Sequence, residues 1–213
     1  MKMNKIIAGT SAFALSLAVV SGAMAATDSE DTQLQVNIQD TINLVCDGGD
    51  TTTETVDLGV LTAGTPVTGS TTCEVTTNAQ AGYVLEVEQD GNSGATTMDN
   101  DNDDAIDIAD KTAWDQTAAN AAAYSGTGLG FGVLSSTATK NDTWWGTAAA
   151  CTDAAQLYAG FPTNGAANNN IMEHTAYAAA STETVICYQL DVPATQESGV
   201  YHGTVTYTAT SAL

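Results

Sequence analysis

Apolar side chains recur at every second position through much of this chain. Leu34, Val36, Ile38, Ile42, Leu44 and Cys46 all fall on even numbers, with only Asp40 interrupting the series. A period of two places them on one face of a strand, whereas a helix would scatter them around its circumference. The pattern predicts one long strand from Leu34 to Cys46, or two with a bend near Asp40. Further alternating runs are Val56, Leu58 and Val60; Cys73 and Val75; Tyr83, Leu85 and Val87; Leu129, Phe131 and Val133; Ile186, Tyr188, Leu190 and Val192; and Tyr201, Val205 and Tyr207. Turn-forming stretches separate them: residues 78–82, residues 91–94, Pro193 and Gly199. The expected class is all-β, an immunoglobulin-like (pilin-like) antiparallel β-sandwich with a long, partly irregular central insertion over 91–180. Inside that insertion, Ala-rich residues 112–125 predict a short helix around Trp114, and residues 147–180 hold few large apolar side chains.

The N-terminus carries a different pattern. Lys2 and Lys5 precede an apolar stretch from Ile6 to Val20, and Ala23-Met24-Ala25 forms an A-x-A box. These are the parts of a cleaved signal peptide, with the cut before Ala26. The competing reading is a retained membrane anchor, but the stretch is short and lacks a basic flank. No cysteine sits at the cut, so a lipid anchor there is not expected. Residues 26–213 are then expected to form a single β-sandwich domain, exported to the cell surface, the extracellular medium or the periplasm.

Charge sharpens this picture. The chain has 4 Lys and Arg against 25 Asp and Glu. Cleavage would leave only Lys111 and Lys140 as basic side chains, so two cations face 25 acids and the formal charge is −23. Such a chain repels nucleic acid and anionic lipid and attracts cations. No later apolar run is long enough to span a bilayer.

The four cysteines are Cys46, Cys73, Cys151 and Cys187. An even number behind a signal peptide reads as two disulfides, with three pairings open. Cys46–Cys73 and Cys151–Cys187 are favoured, because each pair brackets neighbouring elements. A metal site is the rival reading, but no C-x-x-C spacing is present and neither His174 nor His202 lies near most of the cysteines in sequence.

The order of features resembles a known group. A first strand carries Cys46, Val56-Asp57-Leu58-Gly59 follows, and Cys73 precedes the strand Tyr83-Val84-Leu85-Glu86-Val87. The chain closes with Ser198-Gly199-Val200-Tyr201-His202-Gly203-Thr204-Val205-Thr206-Tyr207-Thr208-Ala209-Thr210. This resembles secreted bacterial pilus and coat subunits, in particular fimbrial subunits and the spore coat protein U family, over residues 40–90 and 182–210. The resemblance implies an immunoglobulin-like sandwich, an early disulfide between the first two strands, a closing terminal strand and a non-enzymatic structural role in which subunits exchange strands. Leu34, Val36, Ile38, Ile42 and Leu44 form the candidate assembly strand, whose N-terminal half either pairs in its own sheet or docks on a neighbour's open edge.

Three local constellations bear on chemistry. Counted from Asp99, the acids Asp99, Asp101, Asp103, Asp107 and Asp110 fall at positions one, three, five, nine and twelve of a stretch whose eighth residue is Ile106. That spacing is similar to a calcium loop, although Asp104 stands where a glycine is usual and Asp110 where a glutamate is usual. Ca2+ is the one metal the sequence suggests, and a solvated acidic loop is the plainer alternative. Trp144 and Trp145, with Trp114, are candidates either for stacking on glycans or for packing in the core. Asn141-Asp142-Thr143 fits a glycan-acceptor sequon and marks a surface loop. No catalytic motif accompanies His174 or His202, and an enzyme is not expected. The first functional expectation is therefore a self-assembling pilus, coat or surface-layer subunit whose partners are copies of itself. The second is a monomeric secreted adhesin or carbohydrate-binding module ordered by calcium.

Overall fold

The computed structural model describes residue 33 and residues 35–47, 54–89, 96–138 and 140–212. The expected signal segment, residues 1–25, and Leu34 lie outside the described residues. The elements are strands almost throughout: β1 (Ile42–Cys46), β2 (Val67–Thr77), β3 (Tyr83–Gln89), β4 (Met98–Asn100), β5 (Asp103–Ile108), β6 (Ala122–Ala123), β7 (Gly128–Ser136), β8 (Leu157–Tyr158), β9 (Asn170–His174), β10 (Ala178–Asp191), β11 (Tyr201–His202) and β12 (Val205–Ser211). A single four-residue helix, α1 (Asp142–Trp145), is present among the described residues. Its N-cap Asn141 accepts from the Thr143 and Trp144 amides, the usual way to satisfy exposed first-turn donors.

Two antiparallel sheets make the body. One has the order β1-β2-β10-β7 and the other β12-β3-β9. The alternation seen in the sequence decides which side chains enter the space between them. In β3, Tyr83, Leu85 and Val87 are fully buried, and so are Cys73 and Val75 of β2. Ile186 of β10, Phe131 and Val133 of β7, and Ile171 and Met172 of β9 complete the centre of one core. Smaller sheets β11-β4-β5 and β6-β8 sit in the insertion and near the C-terminal end of the chain. The chain is therefore an all-β sandwich. Two disulfides brace it. Cys46–Cys73 joins directly opposed residues of β1 and β2, and Cys151–Cys187 ties the insertion to β10. Each contributes about 2–4 kcal/mol by restricting the unfolded chain.

Several expected elements come out differently. The long strand from Leu34 to Cys46 is only five residues, because β2 ends at Thr77 and offers no ladder partner before Ile42. Residues 35–40 form no strand, and Val36 and Ile38 are 82% and 75% exposed. Val56, Leu58 and Val60 are not a strand either. Val56 and Leu58 lie over Gly69 so closely that a Cβ there would come within 2.8 Å of each, while Val60 points to solvent. No helix forms over 112–125. The Trp114 amide bonds to the Gly160 carbonyl and the Gln116 amide to that of Asn168, so tertiary partners take the groups a helix would need. The closing strand is split in two. Gly203 passes so near the Thr97 carbonyl that a Cβ would lie 1.9 Å from it, and β11 and β12 on either side belong to different sheets.

The β2–β3 turn depends on a glycine. Gly82 has φ +85°, and a Cβ on it would sit 1.8 Å from the His174 carbonyl oxygen. Backbone on both sides leaves no room to relax. Gly82→Ala should destabilise the domain by at least about 2 kcal/mol, read as a lowered midpoint in urea unfolding with an unchanged slope.

Candidate functional site

The two flanks of the sandwich are built differently. On the β7–β9 flank the insertion takes up the free edges. The Phe131 amide and carbonyl exchange bonds with Ala159, and those of Leu129 bond to Ala109 and Lys111. Trp114 donates its indole N–H to the Asn170 carbonyl at 2.7 Å and Trp145 donates to Ile171 at 2.9 Å. Phe131 stacks on Phe161 with ring centroids 4.6 Å apart, and Trp145 lies against both Trp114 and Phe131. Large flat rings close this side and remove its unpaired strand groups from solvent.

Among the described residues the β1–β12 flank is open. Both strands are outermost in their sheets and they approach one another across the sandwich. Their inward side chains Ile42, Leu44, Val205, Tyr207 and Ala209 pack on the core yet stay only partly buried. Hydrogen-bond direction along β12 follows from β3. The Val87 and Gln89 amides turn toward the β9 side, to Asn169 and Pro162. Val205, Tyr207 and Ala209, their partners in register, therefore point N–H and C=O away from β3 and toward the empty edge. Tyr207 is anchored beneath by a 2.8 Å bond between its hydroxyl and that of Tyr188.

Natural edge strands are usually protected by charge, proline or bulges. Strand β12, Val-Thr-Tyr-Thr-Ala-Thr-Ser, has none of these over seven residues. This is unexpected in a chain with 25 acids. A second charge-free stretch of matching length is Gln33-Leu34-Gln35-Val36-Asn37-Ile38-Gln39, which alternates polar and apolar residues. Asn78 grips the chain just after it. Its Oδ1 accepts from the Thr41 amide at 2.5 Å and its Nδ2 donates to the Gln39 carbonyl at 3.0 Å. The Thr77 hydroxyl also donates to the Thr41 carbonyl.

The other sequence-selected residues are dispersed. Of the candidate calcium ligands Asp99, Asp101, Asp103, Asp107 and Asp110, the side chain of Asp103 lies outside the described ones. Ile106 and Ile108 continue a two-residue period, so the segment folds as the β4–β5 hairpin with Asp99 opposite Asp107. Asp101 lies in the turn and bonds to His202 Nδ1 at 2.6 Å on the surface. Asp103 opens β5, and Asp110 takes the Thr97 amide and hydroxyl on one carboxylate oxygen. One oxygen each of Asp99, Asp107 and Asp110 is buried without a partner. Even so, no three His, Cys, Asp or Glu side chains among the described residues gather as a metal site requires.

Of the two readings for the tryptophans, core packing holds for Trp145, which is fully buried, while Trp144 is half-buried and packs edge-on against Trp114 at 5.6 Å. Lys111 and Lys140 are consumed internally. Lys111 donates to the Ser125 and Thr127 carbonyls beneath the Tyr124 ring, and Lys140 donates to Leu134 and Gly146 beside Asp142. No helix among the described residues is long and apolar enough to cross a membrane. Comparison with family models, curated proteins and solved structures finds no match.

Burial pushes the Asp110 carboxyl up to about 6, with the neighbouring Asp99 adding to the rise and the Thr97 bonds opposing it. In the unfolded chain this carboxyl titrates near its ordinary value of 3.8. Between those values the fold holds a proton that the unfolded chain releases, so stability falls as pH rises through about 4 to 6. Asp110→Asn should flatten that slope and raise stability at pH 7 by roughly 1–2 kcal/mol, measured by chemical denaturation across the pH range.

Proposed function

We propose that this chain is an exported, non-enzymatic structural subunit that assembles with copies of itself into a pilus, coat or surface layer. Residues 33–39 of one copy add as a strand along the free edge of β12 in the next. The observation that carries this reading is the uncharged, unprotected β12 edge, with its main-chain groups directed outward and its inner face incompletely covered. Strand addition satisfies those groups, and alternate side chains set the register. Leu34, Val36 and Ile38 supply an apolar face for the partly exposed Val205, Tyr207 and Ala209. The similarity to fimbrial and coat subunits points the same way, as do the two disulfides, which suit a compartment outside the reducing cytosol.

Charge then becomes a control on assembly. Copies of −23 repel each other at low salt, and screening removes much of that cost. The uncharged donor and acceptor stretches let the contact itself form without ion desolvation. Trp145 is inaccessible to a glycan, so stacking by the Trp144–Trp145 pair together has no support.

Residues 26–213 should grow into polymers as ionic strength is raised, followed by light scattering and electron microscopy. Deleting 27–39 should leave monomers. Ala209→Pro should do the same with little loss of thermal stability, because proline removes only a donor facing the empty edge. Polymers that persist in both variants, or a wild-type chain that stays monomeric throughout, would rule out this mode of assembly.

A further inference from the structure

A shallow groove of about 280 Å³ lies where β1 begins, β2 ends and the β9–β10 turn crosses between the sheets. It is separate from the β12 edge and from the hairpin acids. None of the side chains lining it is charged, although the chain as a whole is strongly acidic. Its wall carries Tyr177, which is 59% exposed. Every other described Phe, Trp and Tyr is buried or half-buried, and Tyr177 makes no ring contact and no side-chain hydrogen bond among the described residues. A ring with an apolar face and a polar hydroxyl, standing at a groove, is suited to contact a ligand with one apolar side.

The polar groups around the ring divide into two sets. Asn78 and Thr77 are spent on holding Thr41 and Gln39, so they form a fixed floor. The Asn43 amide and the Thr41 and Thr76 hydroxyls line the same groove and make no side-chain hydrogen bond among the described residues. One amide and two hydroxyls supply both donors and acceptors and no charge. The wall opposite is low. A register shift in β10 between Ala178 and Thr182 spreads the sheet there, and Ala178 and Ala179 fill little of the space.

We infer that this groove binds a neutral glycan, with the Tyr177 ring packed against the C–H face of a sugar and Asn43, Thr41 and Thr76 bonding its hydroxyls. An aromatic plate beside uncharged donors and acceptors matches a pyranose, which is apolar on one face and ringed by hydroxyls. The volume is at the small end for ligand sites, suited to roughly one or two sugar rings of a longer chain. Anionic glycans are disfavoured twice. The groove has no cation to pair with them, and the protein's field repels anions. This site does not depend on the assembly proposed above, since its residues lie outside β12.

The test uses the mature chain, residues 26–213, with cellohexaose, maltohexaose and chitohexaose as neutral probes and hexagalacturonate as the anionic control. Titration calorimetry gives affinity, and the Asn43 side-chain amide signals in two-dimensional NMR report location. At least one neutral probe should bind and shift the Asn43 signals. Tyr177→Ala should weaken it about tenfold or more, whereas Tyr177→Phe should stay close to wild type. Circular dichroism melting shows whether each variant is folded, which the exposure of Tyr177 favours. The inference is overturned if no neutral probe binds at millimolar concentration. It is equally overturned if folded Tyr177→Ala and Asn43→Ala bind as wild type, or if hexagalacturonate binds as well as the neutral probes.

Discussion

Strand β10 is the member on which the other parts rely. It runs for fourteen residues, pairs with β2 on one side and β7 on the other, and sends Ile186, Tyr188 and Leu190 into the core. Cys187 fastens the insertion to it, and the Tyr188 hydroxyl reaches across the sandwich to Tyr207 in the opposite sheet. Both sheets and the insertion therefore refer to one backbone. A central strand buried on both sides loses little to solvent competition, which is why ladders of this kind are the last parts of a domain to open. The positions of the exposed edge and of the groove are inherited from that rigidity.

From this centre the molecule is asymmetric. The insertion spends three tryptophans, two phenylalanines, Lys111 and Lys140 on closing one flank, and among the described residues the opposite flank receives nothing comparable. The asymmetry also sorts charge. Acids crowd the outer faces and the hairpin, while β12 and the groove beside Tyr177 stay neutral. Where a chain with this composition leaves a surface uncharged, contact without ion desolvation becomes cheap there and costly elsewhere.

The strands that were legible in the sequence are those with a buried inner face. Tyr83, Leu85 and Val87 alternate because one side is core and the other solvent, and the period is visible without any structure. Val36 and Ile38 show the same alternation yet stand in no sheet, because periodicity records a face and not the partner that covers it. The cysteine pairs followed from bracketing, and the structure joins them in that way. The hairpin acids read two ways because ligand spacing and strand spacing share positions one, three, five and nine, and the flanking isoleucines carry the strand period. Trp145 was ambiguous for a different reason: composition does not reveal that Ile171 would offer its carbonyl to the indole. The groove was illegible altogether. Tyr177, Asn43 and Thr76 come from three distant segments, and only the fold brings them together.

The Cys46–Cys73 bridge has a mechanical consequence. Tension applied at the N-terminal end of the chain enters the domain through Thr41 and first loads the short ladder of β1. An unbraced edge strand under such a pull would peel away one bond at a time and carry the unravelling onward. Here the covalent bond at the last residue of β1 stops the peeling after Ile42–Val45. The slack released is only about four strand residues, on the order of 14 Å. Beyond that the load passes directly into Cys73, in the middle of an eleven-residue strand held on both sides. The domain thus behaves under load as a short compliant spring in series with a stiff link.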